Sequence, residues 1–306
     1  NGVIIITTKR GKSGTPKVTY DGWFSVGKVA DRIDVFSPSE YRELVAGKSP
    51  SDLPLLGTAN TDWQDQIYRT AYGQSHNVSL SGGNENTTFR VSVNNLTQEG
   101  TIKKSETQRT GLNVQLNSNF LDNALRTDFS FTGSQTNERF TPGVVGSALA
   151  FDPTQPVRLA GSPYGGYFEW ANNLGTKNPV AELNMIKDRG RNTRGFGRFA
   201  VAYDLPWVKG LTANVNLGFD VANGYRKSFR PNNLRSQAND LDNLRGEIYY
   251  QNPMRHSELL EMYATYKKEL PGIQSTLEVT GGYSYQDFSA EFPAIVADSL
   301  RTNQYG

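Results

Sequence analysis

The chain contains 306 residues and has a formal net charge of +2, with 32 Lys and Arg against 30 Asp and Glu. This balance gives no basic footprint for nucleic acid, and the lack of cysteine excludes disulfides and thiolate metal ligands. No apolar run approaches the roughly 18 residues of a spanning helix, so a membrane helix bundle is excluded. Membrane-crossing strands are not, because they need apolar residues only at alternate positions.

The chain opens on a strand-like run and a basic linker. Residues 3–6 are valine and isoleucine, and residues 9–16 read KRGKSGTP. No signal-peptide pattern precedes them. We expect the chain to be an internal segment of a longer polypeptide.

Period-two segments follow along the chain. In the first, the apolar positions on one face are Val18, Tyr20, Gly22, Phe24 and Val26, and the residues between them are mostly polar. Similar segments occupy residues 76–81, 89–96, 112–120, 125–132, 199–203, 211–221, 260–266 and 277–285. We therefore predict about nine strands, several near the length that crosses a bilayer when tilted.

Alternation alone leaves two architectures open. In a soluble sandwich the apolar face packs on a second sheet, whereas in a membrane barrel it faces lipid and the polar face lines a wet lumen. The polar face here carries Asn, Gln, Ser, Thr, Arg and Asp, which is compatible with full hydration.

Connection lengths favour the barrel. Connections after even-numbered strands are short (residues 82–87, 121–124, 204–210 and 267–272), whereas those after odd-numbered strands are long (30–73, 136–192 and 222–246) or intermediate (98–108). This parity is typical of an outer-membrane barrel and is not expected of a Greek-key sandwich. Aromatic residues suited to an interfacial girdle mark the short-turn end: Phe120, Tyr203, Trp207 and Tyr266. We predict an all-β, antiparallel, up-and-down transmembrane β-barrel, of which this chain holds part.

The first long connection contains helix signals. Ser37, followed by Pro38 and Glu40, forms a capping box with proline at the first helical position. Residues 62–68 predict a further helical turn.

The sequence offers no catalytic equipment. There is no nucleophile elbow, and the two histidines, His76 and His256, stand apart. We expect no enzyme activity, metal or cofactor. His76 is interpreted as a lumen-facing or strand-end residue, Lys103 and Lys104 as solvated, and two glycine pairs as turns rather than phosphate cradles: Gly82-Gly83 and Gly165-Gly166.

Counting the connections that follow odd-numbered strands, the third, residues 136–192, carries an aromatic cluster within GSPYGGYFEW. Because aromatic faces can stack on sugar rings, Tyr164, Tyr167 and Trp170 are the candidate substrate-binding residues. The alternative, that these rings pack the loop or contact a partner protein, is favoured because aromatics are enriched at interfaces generally.

Several stretches resemble one family in order along the chain. The opening resembles the plug end of TonB-dependent outer-membrane transporters of the SusC/RagA family: Asn1, Gly2, Val3, Ile4, Ile5, Ile6, Thr7 and Thr8. Further similar landmarks are Trp63, residues 76–83, residues 98–103 with Arg109 and residues 112–113, Asp152-Pro153 to Pro156, residues 178–181, and Gly210-Leu211.

The resemblance implies a 22-stranded barrel filled by a plug. It further implies outer-membrane location, energy supplied through TonB, and a SusD-like lipoprotein that helps capture an oligosaccharide or peptide. Residues 1–16 would be the last plug strand and hinge, and residues 17–306 the N-terminal portion of the barrel. The alternatives are a soluble or secreted β-rich carbohydrate-binding module, and a structural or adhesion barrel without import.

Overall fold

A single antiparallel sheet dominates the fold. The computed structural model describes residues 11–171, 175–237, 245–300 and 302–304, so the motif Asn1–Thr8 lies outside the described residues. The strands are β1 (Gly14–Gly27), β2 (Ala71–Gly83), β3 (Thr87–Glu99), β4 (Glu106–Phe120), β5 (Leu125–Phe140), β6 (Lys187–Asp204), β7 (Leu211–Arg230), β8 (Gly246–Gln251), β9 (Met254–Leu270), β10 (Ser275–Glu291) and β11 (Ala294–Leu300).

Short helices occupy the long connections. They are α1 (Pro38–Lys48), α2 (Trp63–Ile67), α3 (Val145–Ala150) and α4 (Pro179–Met185), with 3-10 turns at Pro50–Leu55, Arg235–Gln237 and Pro271–Ile273. Among the described residues, no helix has the length and apolar character needed to span a membrane. Ser37 forms the predicted capping box of α1, and Asp62 caps α2.

The sheet is an up-and-down meander, as predicted. Each strand from β1 to β7 pairs antiparallel with its successor. β7 then pairs with β9 through its first part and with β8 through its last, while β10 pairs with β9 and β11 with β8. β8–β9 and β10–β11 are each one pass interrupted before Pro253 and Pro293, because proline has no N–H for the ladder. Counted this way, the described residues make the nine predicted passes.

Both margins of the sheet are open in the part of the chain that is described. β1 pairs with β2 alone, and β10 pairs with β9 alone. The sheet is therefore a section of a larger architecture rather than a closed cylinder.

The register gathers the apolar residues on one face. A single cross-strand row contains Val18, Leu80, Val91, Val114 and Phe131. Large side chains on this face are open to solvent, with Val18 67% and Phe24 66% exposed. Within the described residues no second sheet covers this face, so the sandwich expectation of two layers meeting in a dry interior is not met.

The opposite face is polar and carries forked ion pairs. Arg226 donates to both carboxylate oxygens of Asp188, at 3.0 and 2.7 Å. Arg194 makes a similar fork with Asp220. Such bidentate pairs hold guanidinium groups in place on a hydrated surface.

Connection parity is as predicted with one exception: the connection expected to be intermediate spans only residues 100–105, as few as residues 205–210. The short connections are residues 84–86, 121–124, 205–210 and 271–274, and the long ones are 28–70, 141–186 and 231–245. At the short-turn end, Phe120, Tyr203 and Tyr266 lie on the apolar face by register. Trp207 is 72% exposed and packs edge-on to Tyr203.

The structure corrects the interpretation of His76. This residue lies in the middle of β2 on the apolar face, because its register partner Gly22 shares that face with Tyr20. Its Nδ1 atom is 2.8 Å from the Tyr20 hydroxyl. The prediction of a lumen-facing or strand-end histidine is therefore wrong. The Tyr20 hydroxyl on the neighbouring strand gives the ring a polar partner on this apolar face.

Candidate functional site in the long loops

The long connections fold onto one another and form a compact core at their end of the sheet. We call this the loop core: Trp63, Ile67, Val144, Ala148, Phe151, Tyr167, Val180, Ala181, Leu183, Ile186 and Leu234. Its members come from three separate connections, which makes the loops a packed unit rather than independent excursions.

Trp63 joins the first connection, between β1 and β2, to the third, between β5 and β6. Trp63 is the first residue of α2, which Asp62 caps by accepting from the Asp65 N–H at 3.0 Å. The indole N–H donates to the Asp152 carbonyl at 2.9 Å, and the ring packs against Phe151 with centroids 4.5 Å apart. A buried indole needs such a polar partner.

The Asp152 carboxylate shapes the adjoining turn. One oxygen accepts from the Thr154 N–H and hydroxyl, each at 2.7 Å, and the other accepts from the Gln155 amide at 3.1 Å. Thr154 in turn binds the first connection, since its hydroxyl accepts from the Gly57 N–H at 2.9 Å. The Asp-Pro landmark is thus the seam between two loops.

Asn178 uses its whole amide in a fully buried position. Its Oδ1 accepts from the N–H groups of Val180 and Ala181, which caps α4. Its Nδ2 donates to the carbonyls of Val157 and Phe168, both at 3.0 Å. One side chain therefore holds the start of a helix to two turns of the same connection.

A buried acidic pair lies beside this amide. Both carboxylate oxygens of Glu169 accept from the Asn178 N–H at 3.1 Å. Burial raises the pKa of Glu169 to about 7, and the nearby Glu182 adds to the effect. Burial also raises the pKa of Glu182 and lowers that of Lys177.

The three predicted ring residues occupy different environments. Tyr164 and Tyr167 are buried, with 6% and 3% of their surface exposed. Arg158 lies over the Tyr167 ring at 4.2 Å and donates to its hydroxyl at 2.8 Å. Trp170 is half-buried and packs edge-on to Phe168. Their role in substrate binding stays a prediction.

The glycines of this connection make turns, as predicted. Gly165 and Gly166 adopt φ of +64° and +78°, a region that side chains with a Cβ rarely enter.

The basic pair of the second connection is not simply solvated, contrary to expectation. The Lys103 ammonium donates to the carbonyls of Asp65 and Gln66, at 3.1 and 2.7 Å, near the C-terminal end of α2. Lys104 reaches the Asn184 carbonyl at 3.4 Å. Carbonyls left unpaired at helix ends attract cations. Lys103 and Lys104 therefore tie the connection between β3 and β4 to α2 and α4.

Two pockets flank α1. One, of about 850 Å³, lies between residues 32–41, 60–64 and 148–153. The other, of about 680 Å³, is bordered by Tyr41, Leu44 and Trp170. Both are large enough for a small organic ligand.

The polar face of the sheet holds a third concavity of about 560 Å³. Arg198, Asn216 and Glu261 line it, and the amide of Asn216 bridges the other two by hydrogen bonds. Among the described residues no group of three or more His, Asp or Glu side chains is placed to hold a metal ion. The arrangement offers polar and aromatic contacts for binding.

Sequence reasoning missed the buried roles of Glu169 and Arg235. The Arg235 guanidinium donates to the Trp170 and Ala171 carbonyls. Only the Asn-Pro pair at residues 178–179, a standard helix-start signal, could have revealed part of this network.

Comparison with known proteins identifies relatives in sequence and, separately, solved structures of the same fold. The chain is 36% identical over 249 residues to "TonB-dependent receptor SusC" of Bacteroides thetaiotaomicron, covering 73% of this chain and 24% of the relative. It is 28% identical over 316 residues to "TonB-dependent receptor P3" of Formosa agariphila, covering 99% of this chain and 30% of the relative. The chain thus spans less than a third of the length of these curated relatives. No family model matches it.

Solved structures share the fold. The chain superposes on a chain of the RagAB peptide transporter with a TM-score of 0.74 at 15% identity, covering 96% of this chain and 37% of that one. RagAB in its open-open state gives the same TM-score. The open sheet therefore corresponds to a section of that larger fold, and the chain belongs to the SusC/RagA family of TonB-dependent outer-membrane receptors.

Proposed function

We propose that the protein is an outer-membrane nutrient importer that takes up oligosaccharides or peptides in a TonB-dependent manner. The observation that carries this proposal is the sheet with one broad apolar face exposed and forked ion pairs on the other. Exposed apolar surface of this extent marks contact with lipid or protein. In a barrel wall, the apolar face would contact lipid on the outside and the polar face would contact water on the inside.

Membrane placement follows from the connections. The short turns would lie in the periplasm, and the loop core would lie outside the cell. Open margins at β1 and β10 would leave backbone groups unpaired in hydrocarbon, so we expect further strands of the receptor to close the wall. Residues 1–16 are proposed as the end of the plug and its hinge, and residues 17–306 as barrel wall; β1 already begins at Gly14.

Substrate contact is proposed for the pocket between α1 and Trp170. The indole is half-buried there, so one part of it is fixed by Phe168 while another borders the pocket. Tyr164 and Tyr167, which are buried, would shape this loop around the ligand. Transport needs contacts weak enough to release the cargo, and an aromatic surface with few charges suits that requirement.

A SusD-like lipoprotein is the proposed partner at the outer surface. Residues 28–36 lie outside helices and strands and carry exposed apolar side chains: Ile33, Val35 and Phe36 are 59%, 48% and 56% exposed. The segment is anchored, because Arg32 pairs with Asp62 and Asp65. An anchored apolar strip beside the loop core would suit a protein lid.

Three experiments test the proposal on the full-length receptor. We expect it in the detergent-solubilised outer-membrane fraction; recovery in the soluble extract would favour a secreted carbohydrate-binding module. We expect uptake of its oligosaccharide or peptide to stop when TonB is deleted, and continued uptake would contradict the importer. Trp170→Ala should weaken capture, whereas Trp207→Ala, at the short-turn end, should not.

A further inference from the structure

The apolar face of β5, β6 and β7 becomes basic towards the end of the sheet that carries the long connections. Arg139 and Arg189 are register partners, and Arg189 is in turn the partner of Lys227. Arg191 follows two residues along β6 on the same face. We call Arg139, Arg189 and Arg191 the arginine cluster; all three are exposed.

The charge of this cluster is only partly balanced. Arg139 pairs with Glu106 at 3.2 Å, and Arg191 donates to the neutral amide of Asn137 at 3.0 Å. Arg189 has no carboxylate at ion-pair distance among the described residues. Like charges placed directly opposite each other on neighbouring strands destabilise a sheet, so an added anion would stabilise this arrangement.

A shallow pocket lies within the cluster. Its volume is about 220 Å³, and the three arginines border it together with Glu106, Glu138 and Tyr225. Tyr225 stacks on Tyr250 with ring centroids 6.4 Å apart. Stacked tyrosines at such a position are typical of the boundary between hydrocarbon and headgroups.

The depth of the cluster matches a headgroup layer. The last apolar row contains Gly133, Gly195 and Val221, and Arg191 lies four residues from Gly195 along β6. At about 3.4 Å per residue this is roughly 14 Å along the strand. With the strand tilt of a barrel, it is about 10 Å above the apolar band.

We infer that the arginine cluster binds the phosphate groups of a lipid headgroup in the outer leaflet of the membrane. Guanidinium groups match phosphate oxygens in a bidentate manner, and the cluster faces the same side as the lipid-contacting residues. This inference rests on the proposed membrane placement.

The test uses the full-length receptor in phosphatidylcholine nanodiscs, titrated with fluorescent diphosphorylated lipid A. The triple variant R139Q/R189Q/R191Q should bind about 100-fold more weakly, since each cation near an anionic surface contributes about fivefold. The single variant R189Q should lose about fivefold. The control K209Q/K267Q/K268Q removes equal charge at the short-turn end and should retain affinity.

Dephosphorylated lipid A and inorganic phosphate complete the design. Neither should bind with comparable affinity, because the site needs a phosphate held at headgroup depth. Unchanged binding by the triple variant, or equal binding of inorganic phosphate, would overturn the inference. A triple variant that keeps its lipid affinity but self-associates less than the parent would also overturn it, and would make the cluster a contact between copies. Absence of the receptor from membranes would instead refute the proposed function.

Discussion

The indole N–H of Trp63 donates to the Asp152 carbonyl at 2.9 Å and so joins two loops separated by 89 positions in the chain. This bond lies at the centre of the loop core, where the ring also packs against Phe151. Two long connections are thereby held as one body above the sheet.

Removing only the polar half of this contact should loosen the loops. Trp63→Phe keeps most of the ring but leaves the Asp152 carbonyl without its partner, which should cost about 1–3 kcal/mol. Trp63→Ala should cost about 3–5 kcal/mol, because it also leaves a cavity. Hydrogen exchange of residues 141–171 measures local opening. Equal exchange in Trp63→Phe and the parent would show that the bond contributes nothing.

Asn178 should be the most sensitive polar residue of the third connection. Asn178→Asp keeps the α4 cap but removes both donors to the Val157 and Phe168 carbonyls. It also places a carboxylate beside Glu169, so we expect local destabilisation of at least about 2–3 kcal/mol. Limited proteolysis of residues 145–171 provides the measurement.

A matched cap provides the control for Asn178→Asp. Ser37→Ala removes the side-chain cap of α1 at the surface, and should cost about 1 kcal/mol. A larger effect at Ser37 than at Asn178 would contradict the central role of the buried amide.

Glu169 should make loop stability depend on pH. Its folded-state pKa is about 7, above the ordinary value of 4.5, so the folded loops hold a proton that the unfolded loops release. The contribution of Glu169 to loop stability is therefore fully present below about pH 4.5 and is lost as pH rises through about 7. The loss is about 3 kcal/mol over that interval.

Substitution separates this titration from other acid effects. Glu169→Gln should flatten the fall in hydrogen-exchange protection between pH 5 and 8. Glu40→Gln is the control, because hydrogen bonds from Ser37 lower the pKa of Glu40, so the contribution of Glu40 is constant between pH 5 and 8 and is lost only as pH falls below about 4.5. A parent protein whose loops gain protection between pH 5 and 8 would contradict the assignment.

A strand of this sheet can be predicted from the sequence where one of its faces is apolar and the other is polar. In β7, residues 211–221 alternate because one face is apolar, and the strand was found there. β6 begins at Lys187 rather than near residue 199, because Arg189, Arg191 and Asn192 are polar on both faces and erase the period of two. The same reason hides the far end of β5.

The loop core was less accessible to sequence reasoning. α1 and α2 carry capping signals close to their apolar residues, and both were predicted. α3 begins at Val145 without a side-chain cap, and Glu169 is buried where its own connection folds back on Asn178 and meets Arg235 of another connection. Long-range packing of this kind leaves no periodic trace in one sequence.

The alternation of environment along β7 tests the central claim most directly. This chain has no cysteine, so in a membrane-embedded receptor freed of any cysteine elsewhere, spin labels can be placed singly at Val215, Asn216, Leu217 and Phe219. We predict high collision rates with oxygen, and low rates with a water-soluble nickel complex, at Val215, Leu217 and Phe219, and the reverse at Asn216. Labels at the odd positions that are shielded from both reagents would contradict the lipid-facing assignment and would mean that another protein layer covers this face.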